Sequence, residues 1–428
     1  VSTPSNKQAD EFVAKDKKYV LRPWSGTPTP IVDAKDCVVT DAYGKQFIDF
    51  TAGYFVNNAG HCHLRVIEAA TEQMGKVMQV SGKHSTVPLV NLAEKLIELA
   101  PSSLDKAMFT TGGSESTENA LKMVRQYTGK PHVVALENAY HGLTLGSLEA
   151  CANEKYRNTA GKPLGGHVFF VPTPYCYRCP HEQDCATQCL DEAEKRMDSQ
   201  PEAAAIMAEP VQAVGGVIPP KKWWERMDDI RRKRGMLLIL DEIQTGVGRT
   251  GKMFAAEHYG LEPDVMTAGK GLSGGVGSLG AVMVSKEVGK NYNGGTTPTS
   301  AGNAVSAAAG IALIDTLLDE NLIEHAAAMG GHFTEAVVAL DDPWVGDVRF
   351  KGLLGGVELV ADRQSKEVLA KEVVAAVASG LHADGMLITV SGLHGNVLRL
   401  QPPLSIKASQ IDAFVDSLKR VLPAVRDK

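Results

Sequence analysis

The chain has 428 residues, 44% of them hydrophobic and 22% charged, proportions of a folded protein with a substantial core and not of a disordered one. A net charge of −6 supplies no basic field for nucleic acid or an anionic membrane. Seven cysteines, an odd number, fit a reducing compartment better than a disulfide framework. The opening "VSTPSNKQADEFVAKDKKYV" has no apolar signal core, and no run approaches the roughly 18 apolar residues of a membrane span, so the expected location is cytoplasmic.

In chain order, "CVVTDAYGKQFIDF" (37–50) reads as a small hairpin. Short, nearly continuous apolar runs follow: "KAMFT" (106–110), "HVVAL" (132–136), "HVFFV" (167–171), "AAIMAE" (204–209), "MLLILDE" (236–242) and "LGAVMV" (279–284). Each precedes a turn and a helix-compatible stretch. Such runs predict strands buried on both faces, an α/β architecture with a mostly parallel sheet between helices. Ligand chemistry in such sheets gathers at the carboxyl ends of the strands. From Ala301 helix formers dominate, then "KGLLGGVELV", another helix, "NVLRLQPPLSI" and a final helix, the texture of a smaller α+β domain. The expected division is an N-terminal segment (1–55) packing with the small domain, a large domain (56–315) and the small domain (316–428).

Candidate chemistry falls at those strand ends. In "FTTGGSESTENAL", Gly112, Gly113 and Ser114 open a helix whose N–H groups and dipole suit a phosphate, although an ordinary turn capped by Ser114 fits equally. In "ENAYHGLTL", Tyr140 could lie flat on a planar ligand; taken singly, it and His141 read as core residues. Asp241, after four aliphatic residues, needs a polar partner if buried, and Gln244 could reach the same ligand; capping acids on a loop are the simpler reading of Asp241 and Glu242. Lys270, in "DVMTAGKGLSGG", sits among small residues at the end of the next strand-like run. A lysine in a partly dry site lowers its pKa and attacks carbonyls. Phosphate cradle, stacking aromatic, carboxylate and amine together describe pyridoxal 5′-phosphate.

At this point the chain resembles the class III (ω-type) aminotransferases of the fold type I pyridoxal-phosphate superfamily, from about Ile31 to the C-terminus. The most specific segment is "LLILDEIQTGVGRTGKMFAAEHYGLEPDVMTAGKGL", supported by "GHCH" (60–63), "AYHG", "AEP" (208–210) and "VLRLQPPL" (397–404). The resemblance implies Lys270 as the Schiff-base lysine and proton shuttle, Asp241 on the pyridinium nitrogen, Gln244 on the phenolic oxygen, Tyr140 stacked on the ring with His141 beside it, and Gly113 and Ser114 on the phosphate. It also implies that Thr299 reaches the phosphate of a neighbouring subunit, so that a homodimer (or a tetramer) shares its sites.

Arg399 resembles the arginine for the substrate carboxylate, with a surface salt bridge as the plainer reading. Glu209 resembles the glutamate that pairs with this arginine when a carboxylate-free amine binds, and Tyr54 and Phe55 line the substrate side. The implied reaction is ping-pong transfer of an amino group from an amine or amino acid to a small 2-oxo acid. Lyase, decarboxylase and racemase chemistry on the same cofactor is the alternative. Leu143 stands where relatives often place arginine, which favours pyruvate or glyoxylate over 2-oxoglutarate. Gly112 replaces a frequent serine. Cys176, Cys179, Cys185 and Cys189, with His181 nearby, have a spacing compatible with zinc; a surface loop of thiols is expected instead, with no metal.

Overall fold

The computed structural model describes residues 5–22, 30–161, 164–180, 187–294 and 298–427. Three sheets organise them. The first runs β1 (Ile31–Lys35), β2 (Val38–Asp41) and β3 (Gln46–Asp49), all antiparallel, so the 37–50 segment is a hairpin.

The central sheet contains β4 (Lys106–Thr110), β5 (His132–Leu136), β6 (Val168–Val171), β7 (Ala203–Ala208), β8 (Leu237–Asp241), β9 (Val265–Ala268) and β10 (Gly280–Val284), in the order β4-β10-β9-β8-β7-β5-β6. β7, β9 and β10 are buried along their whole length, as sequences apolar but for Thr267 of β9 require. β10 alone runs against its neighbours. Its connection from β9, residues 269–279, holds only a short 3-10 turn, and a parallel return needs a longer crossover. The other six strands share one direction, so Thr110, Leu136, Ala208, Asp241 and Ala268 end on the same edge.

The third sheet is antiparallel: β11 (Val345–Lys351), β12 (Leu354–Asp362), then, after the short β13 (Glu367–Val368) and β14 (Met386–Leu387), β15 (Thr389–Ser391) and β16 (Val397–Leu400), in the order β11-β12-β16-β15. β14 instead pairs in parallel with β3, joining the N-terminal hairpin to the C-terminal region. The helix-forming stretch from Ala301 forms two helices, Ala304–Asp319 and Leu322–Val338, broken at left-handed Asn321. A helix at Asn6–Tyr19, with a Ser5/Gln8 capping box, has no counterpart in the sequence reading because its face is almost wholly polar. No helix of the described residues is long and apolar enough to cross a membrane.

Candidate active site

Five strand ends and one strand of the third sheet supply the site. After β4 the chain turns at Gly112, which is the N-cap of the helix Gly113–Thr128 in place of Ser114. A side chain at Gly113 would come within 2.9 Å of Ile243 Cγ2, so the helix start lies directly on the segment that follows Asp241. Ser114 Oγ accepts from Leu143 N (3.1 Å) and Thr117 Oγ1 donates to the His141 carbonyl (2.8 Å), which ties the helix to the loop after β5. Gly112, Gly113 and Ser114 line a cavity of about 570 Å³ together with Thr111, Thr144 and Pro298.

His141 and Asp241 are both buried, with His141 Nδ1 2.6 Å from Asp241 Oδ2. Asp241 Oδ1 accepts from Ile243 N (3.0 Å) and Thr267 Oγ1 (3.3 Å). Burial opposes the His141 cation, but the bond to Asp241 and the nearby carboxylates outweigh it and raise its pKa. His141 therefore belongs to the site as the partner of Asp241. Taken singly it reads as a core residue, because the pairing crosses from β5 to β8.

Tyr140 is half-buried and meets Tyr156 edge to face, with ring centroids 5.3 Å apart. Burial pushes its hydroxyl pKa up. The buried Glu209 accepts from Tyr140 N (3.2 Å) and Ala213 N (2.7 Å), and burial raises its carboxyl pKa. Gln244 donates from Nε2 to Gln401 Oε1 (2.6 Å), a contact that sequence spacing could not show.

Lys270 follows β9 in a left-handed conformation (φ +42°) that only a well-held lysine keeps. Its amine has no hydrogen-bond partner among the described residues. Burial and the Arg399 charge bring its pKa down to about 8, against the pull of Asp241.

Arg399 projects from β16 with its guanidinium 4.1 Å from the centre of the Phe55 ring. Its Nε is buried without a partner, and among the described residues no carboxylate pairs with it, Glu209 included. Burial lowers its pKa to about 10. The surface salt bridge considered from sequence is therefore absent. Tyr54 is exposed beside Phe55, their rings 5.2 Å apart. Thr299 is exposed, and its carbonyl accepts from Gln79 Nε2 (2.8 Å).

Two residues here had no sequence signal. Tyr156 lies in an unremarkable "NEKYR", and Cys151 Sγ, buried, accepts from His141 N and donates to the Gly142 carbonyl, both at 3.1 Å. Glu242, the neighbour of Asp241, faces elsewhere: it caps Ala256 N (2.7 Å), and burial raises its pKa to about 7. Cys176, Cys179 and Cys189 line a separate cavity of about 310 Å³, while Cys185 and His181 lie outside the described residues. Among the described residues no three His, Cys, Asp or Glu side chains gather to hold a metal ion.

The model of the class III aminotransferase family matches residues 21–422. An acetylornithine aminotransferase of Methanothermobacter thermautotrophicus is 34% identical over 418 residues, 97% of this chain and 99% of its own. A leucine/methionine racemase of Thermococcus litoralis is 33% identical over 411 residues, covering 94% and 92%. The crystal structure of an (S)-enantioselective omega-transaminase from Thermomicrobium roseum matches with a TM-score of 0.92 at 33% identity, covering 97% of this chain and 99% of the other.

Proposed function

The chain belongs to the class III aminotransferases, enzymes of fold type I that depend on pyridoxal phosphate, and we propose that it moves an amino group from an amine or amino acid to a small 2-oxo acid in two ping-pong half-reactions. The observation that carries this reading is the unpaired Lys270 amine on the same sheet edge as the buried Asp241–His141 pair, with an unpaired arginine close enough to lower its pKa. These residues fit the cofactor. The helix start at Gly113 and Ser114 offers backbone N–H groups to its phosphate, Asp241 a carboxylate to its ring nitrogen, Tyr140 a face to its ring and Gln244 an amide to its phenolic oxygen. Bound there, pyridoxal phosphate supplies the carbonyl that captures the donor amine and the ring that accepts the electron pair left at the substrate carbon.

The chain's own residues do the rest. Asp241, braced by His141, Ile243 N and Thr267, holds a proton on the ring nitrogen. Lys270, with its pKa near 8, spends an appreciable fraction of time neutral and moves the proton at the substrate carbon. Arg399 takes the substrate carboxylate by a planar two-point contact. When the donor carries no carboxylate, Glu209 offsets the arginine. Leu143, 56% exposed, offers no second cation for a distal carboxylate, which favours pyruvate or glyoxylate over 2-oxoglutarate. Two subunits complete each site through Thr299, in a cytoplasmic homodimer or tetramer.

A second reading keeps the cofactor and returns the proton to the opposite face of the substrate carbon, as racemisation; the similarity to the Thermococcus litoralis racemase favours giving it a test. The cofactor-loaded protein is mixed with single donors, without oxo acid, and its visible spectrum is followed. Transamination bleaches the band of the lysine-bound cofactor in proportion to donor, and pyruvate restores it. Racemisation leaves the band at steady state while the optical rotation of an amino acid donor decays. Silence across L-alanine, L-leucine, L-methionine, β-alanine and 1-phenylethylamine would remove the transaminase assignment.

A further inference from the structure

Residues Ala52, Gly53, Tyr54 and Phe55 all have positive φ (47°, 58°, 73° and 72°), a single turn of left-handed helix closed by Phe55 N to Thr51 O (2.6 Å) and Val56 N to Ala52 O (3.0 Å). Only glycine adopts this conformation readily, and three of the four residues are not glycine. At Gly53 itself a Cβ would lie 2.4 Å from Asn57 Nδ2. Such a turn persists only if its surroundings impose it.

The surroundings are one buried carboxylate. Asp49 Oδ1 accepts from Thr51 N (2.8 Å) and Thr51 Oγ1 (2.6 Å), and Oδ2 accepts from Gly53 N (2.7 Å) and His61 Nε2 (2.8 Å). Burial alone would raise the Asp49 carboxyl, and these bonds reverse that, so it serves as an acceptor only. His61 Nε2 therefore carries its proton toward Asp49, and Nδ1 accepts from Asn57 Nδ2 (3.2 Å), which also donates to the Ala52 carbonyl (3.2 Å). The network closes on the turn from both ends. The turn seats Phe55 beneath the Arg399 guanidinium, and Gln401 N to Phe50 O (2.8 Å) and Leu404 N to Asn58 O (2.8 Å) lock the flanking backbones together.

We propose that Asp49 and His61 are positioning residues for substrate: they hold the left-handed turn that carries Phe55, and through Phe55 fix the plane in which Arg399 meets a substrate carboxylate. The inference rests on the reading of Arg399 given above.

The test uses the enzyme loaded with the pyridoxamine form of the cofactor, which has no carbonyl to capture an amine, and calorimetric binding of propionate, a carboxylate without an amine, beside propylamine, an amine without a carboxylate. Asp49→Asn replaces one of the two acceptors by a donor, set against the backbone N–H of either Thr51 or Gly53, and His61→Ala removes the link to Asn57. Each is expected to weaken propionate by about tenfold and propylamine by less than about twofold. His61→Gln keeps a donor toward Asp49 and an acceptor for Asn57, and is expected to restore propionate binding. If Asp49→Asn does not fold, the His61→Ala and His61→Gln contrast decides alone.

Propionate binding at the wild-type level in Asp49→Asn and His61→Ala, with Arg399→Lys impaired, overturns the positioning role only. Equal losses for both probes reduce it to general support of the fold and likewise overturn it. A wild-type enzyme, or an Arg399→Lys variant, that shows no specific dependence of propionate binding on Arg399 overturns the reading of Arg399 and the inference with it.

Discussion

The pKa of His141 is raised against its burial. Its ordinary pKa is 6.5, and the bond to Asp241 raises it in the folded protein. A raised cationic group stabilises the fold fully below the unfolded value and loses that contribution as pH rises through the folded value. Lys270 has the opposite sign. Its folded pKa, about 8 against 10.5, means that the fold gains stability as pH rises across that interval. Lys270 and His141 act in opposite directions, so the difference between proteins is the useful quantity. His141→Asn retains a donor to Asp241 but no titration. Its melting temperature is expected to lie furthest below wild type near pH 6, and the gap should close as pH is raised above 6.5. Melting curves from pH 6 to 9 check this; a constant gap would mean that folding does not raise the His141 pKa.

The same residue shows what sequence conceals. Asp241 and Lys270 are legible because each ends an apolar strand, whereas the His141–Asp241 bond links residues 100 positions apart and appears only once β5, β7 and β8 lie side by side.

Between elements, the Gly113–Thr128 helix starts directly against the segment after β8. A methyl group at Gly113 would lie 2.9 Å from Ile243 Cγ2 and 3.1 Å from its Cδ1. Gly113→Ala should therefore push the first helical turn off that segment and away from the phosphate position, weakening cofactor binding by about tenfold, or about 1.4 kcal/mol. Removing the obstacle with Ile243→Ala in the same chain should recover much of the loss, less the cost of the deleted side chain. Titration of the apoenzyme with pyridoxal phosphate, followed by absorbance, measures both; equal affinity in Gly113→Ala and wild type would show that the helix start does not touch the phosphate.

At this scale the sequence was informative where burial was two-sided. The central strands were read to within a residue or so because their apolar runs are continuous. β11 has only one fully buried residue, and its mixed "VGDVRFK" gives no clear period. The left-handed turn at Ala52–Phe55 was equally hidden. Its sequence, "AGYF", contains one glycine, and the conformation depends on Asp49 and His61 outside it.

For the whole molecule, the question is whether one chain makes a complete site. Large apolar side chains remain exposed at Leu64 (66%), Met78 (60%) and Val87 (73%), on segments that surround the helix Ala304–Asp319. A second copy of the chain is the economical cover for them. Thr299 precedes that helix and is itself exposed, so its hydroxyl is free to reach a neighbour. If the neighbour's phosphate is its target, each site takes Lys270 from one subunit and Thr299 from the other. A Lys270→Ala subunit and a Thr299→Ala subunit, each impaired alone, then make one intact site in the mixed dimer. Each mixed dimer has one good site of two, so the isolated mixed dimer should reach about half of wild-type activity, well above the Thr299→Ala background. The experiment co-expresses the two chains with different affinity tags, isolates the doubly tagged dimer and compares its turnover with both parents. A mixed dimer no more active than half of the Thr299→Ala parent would mean that each chain builds its site alone. A protein that sediments as a monomer with full turnover would remove the shared site altogether, and leave the exposed apolar side chains to some other partner.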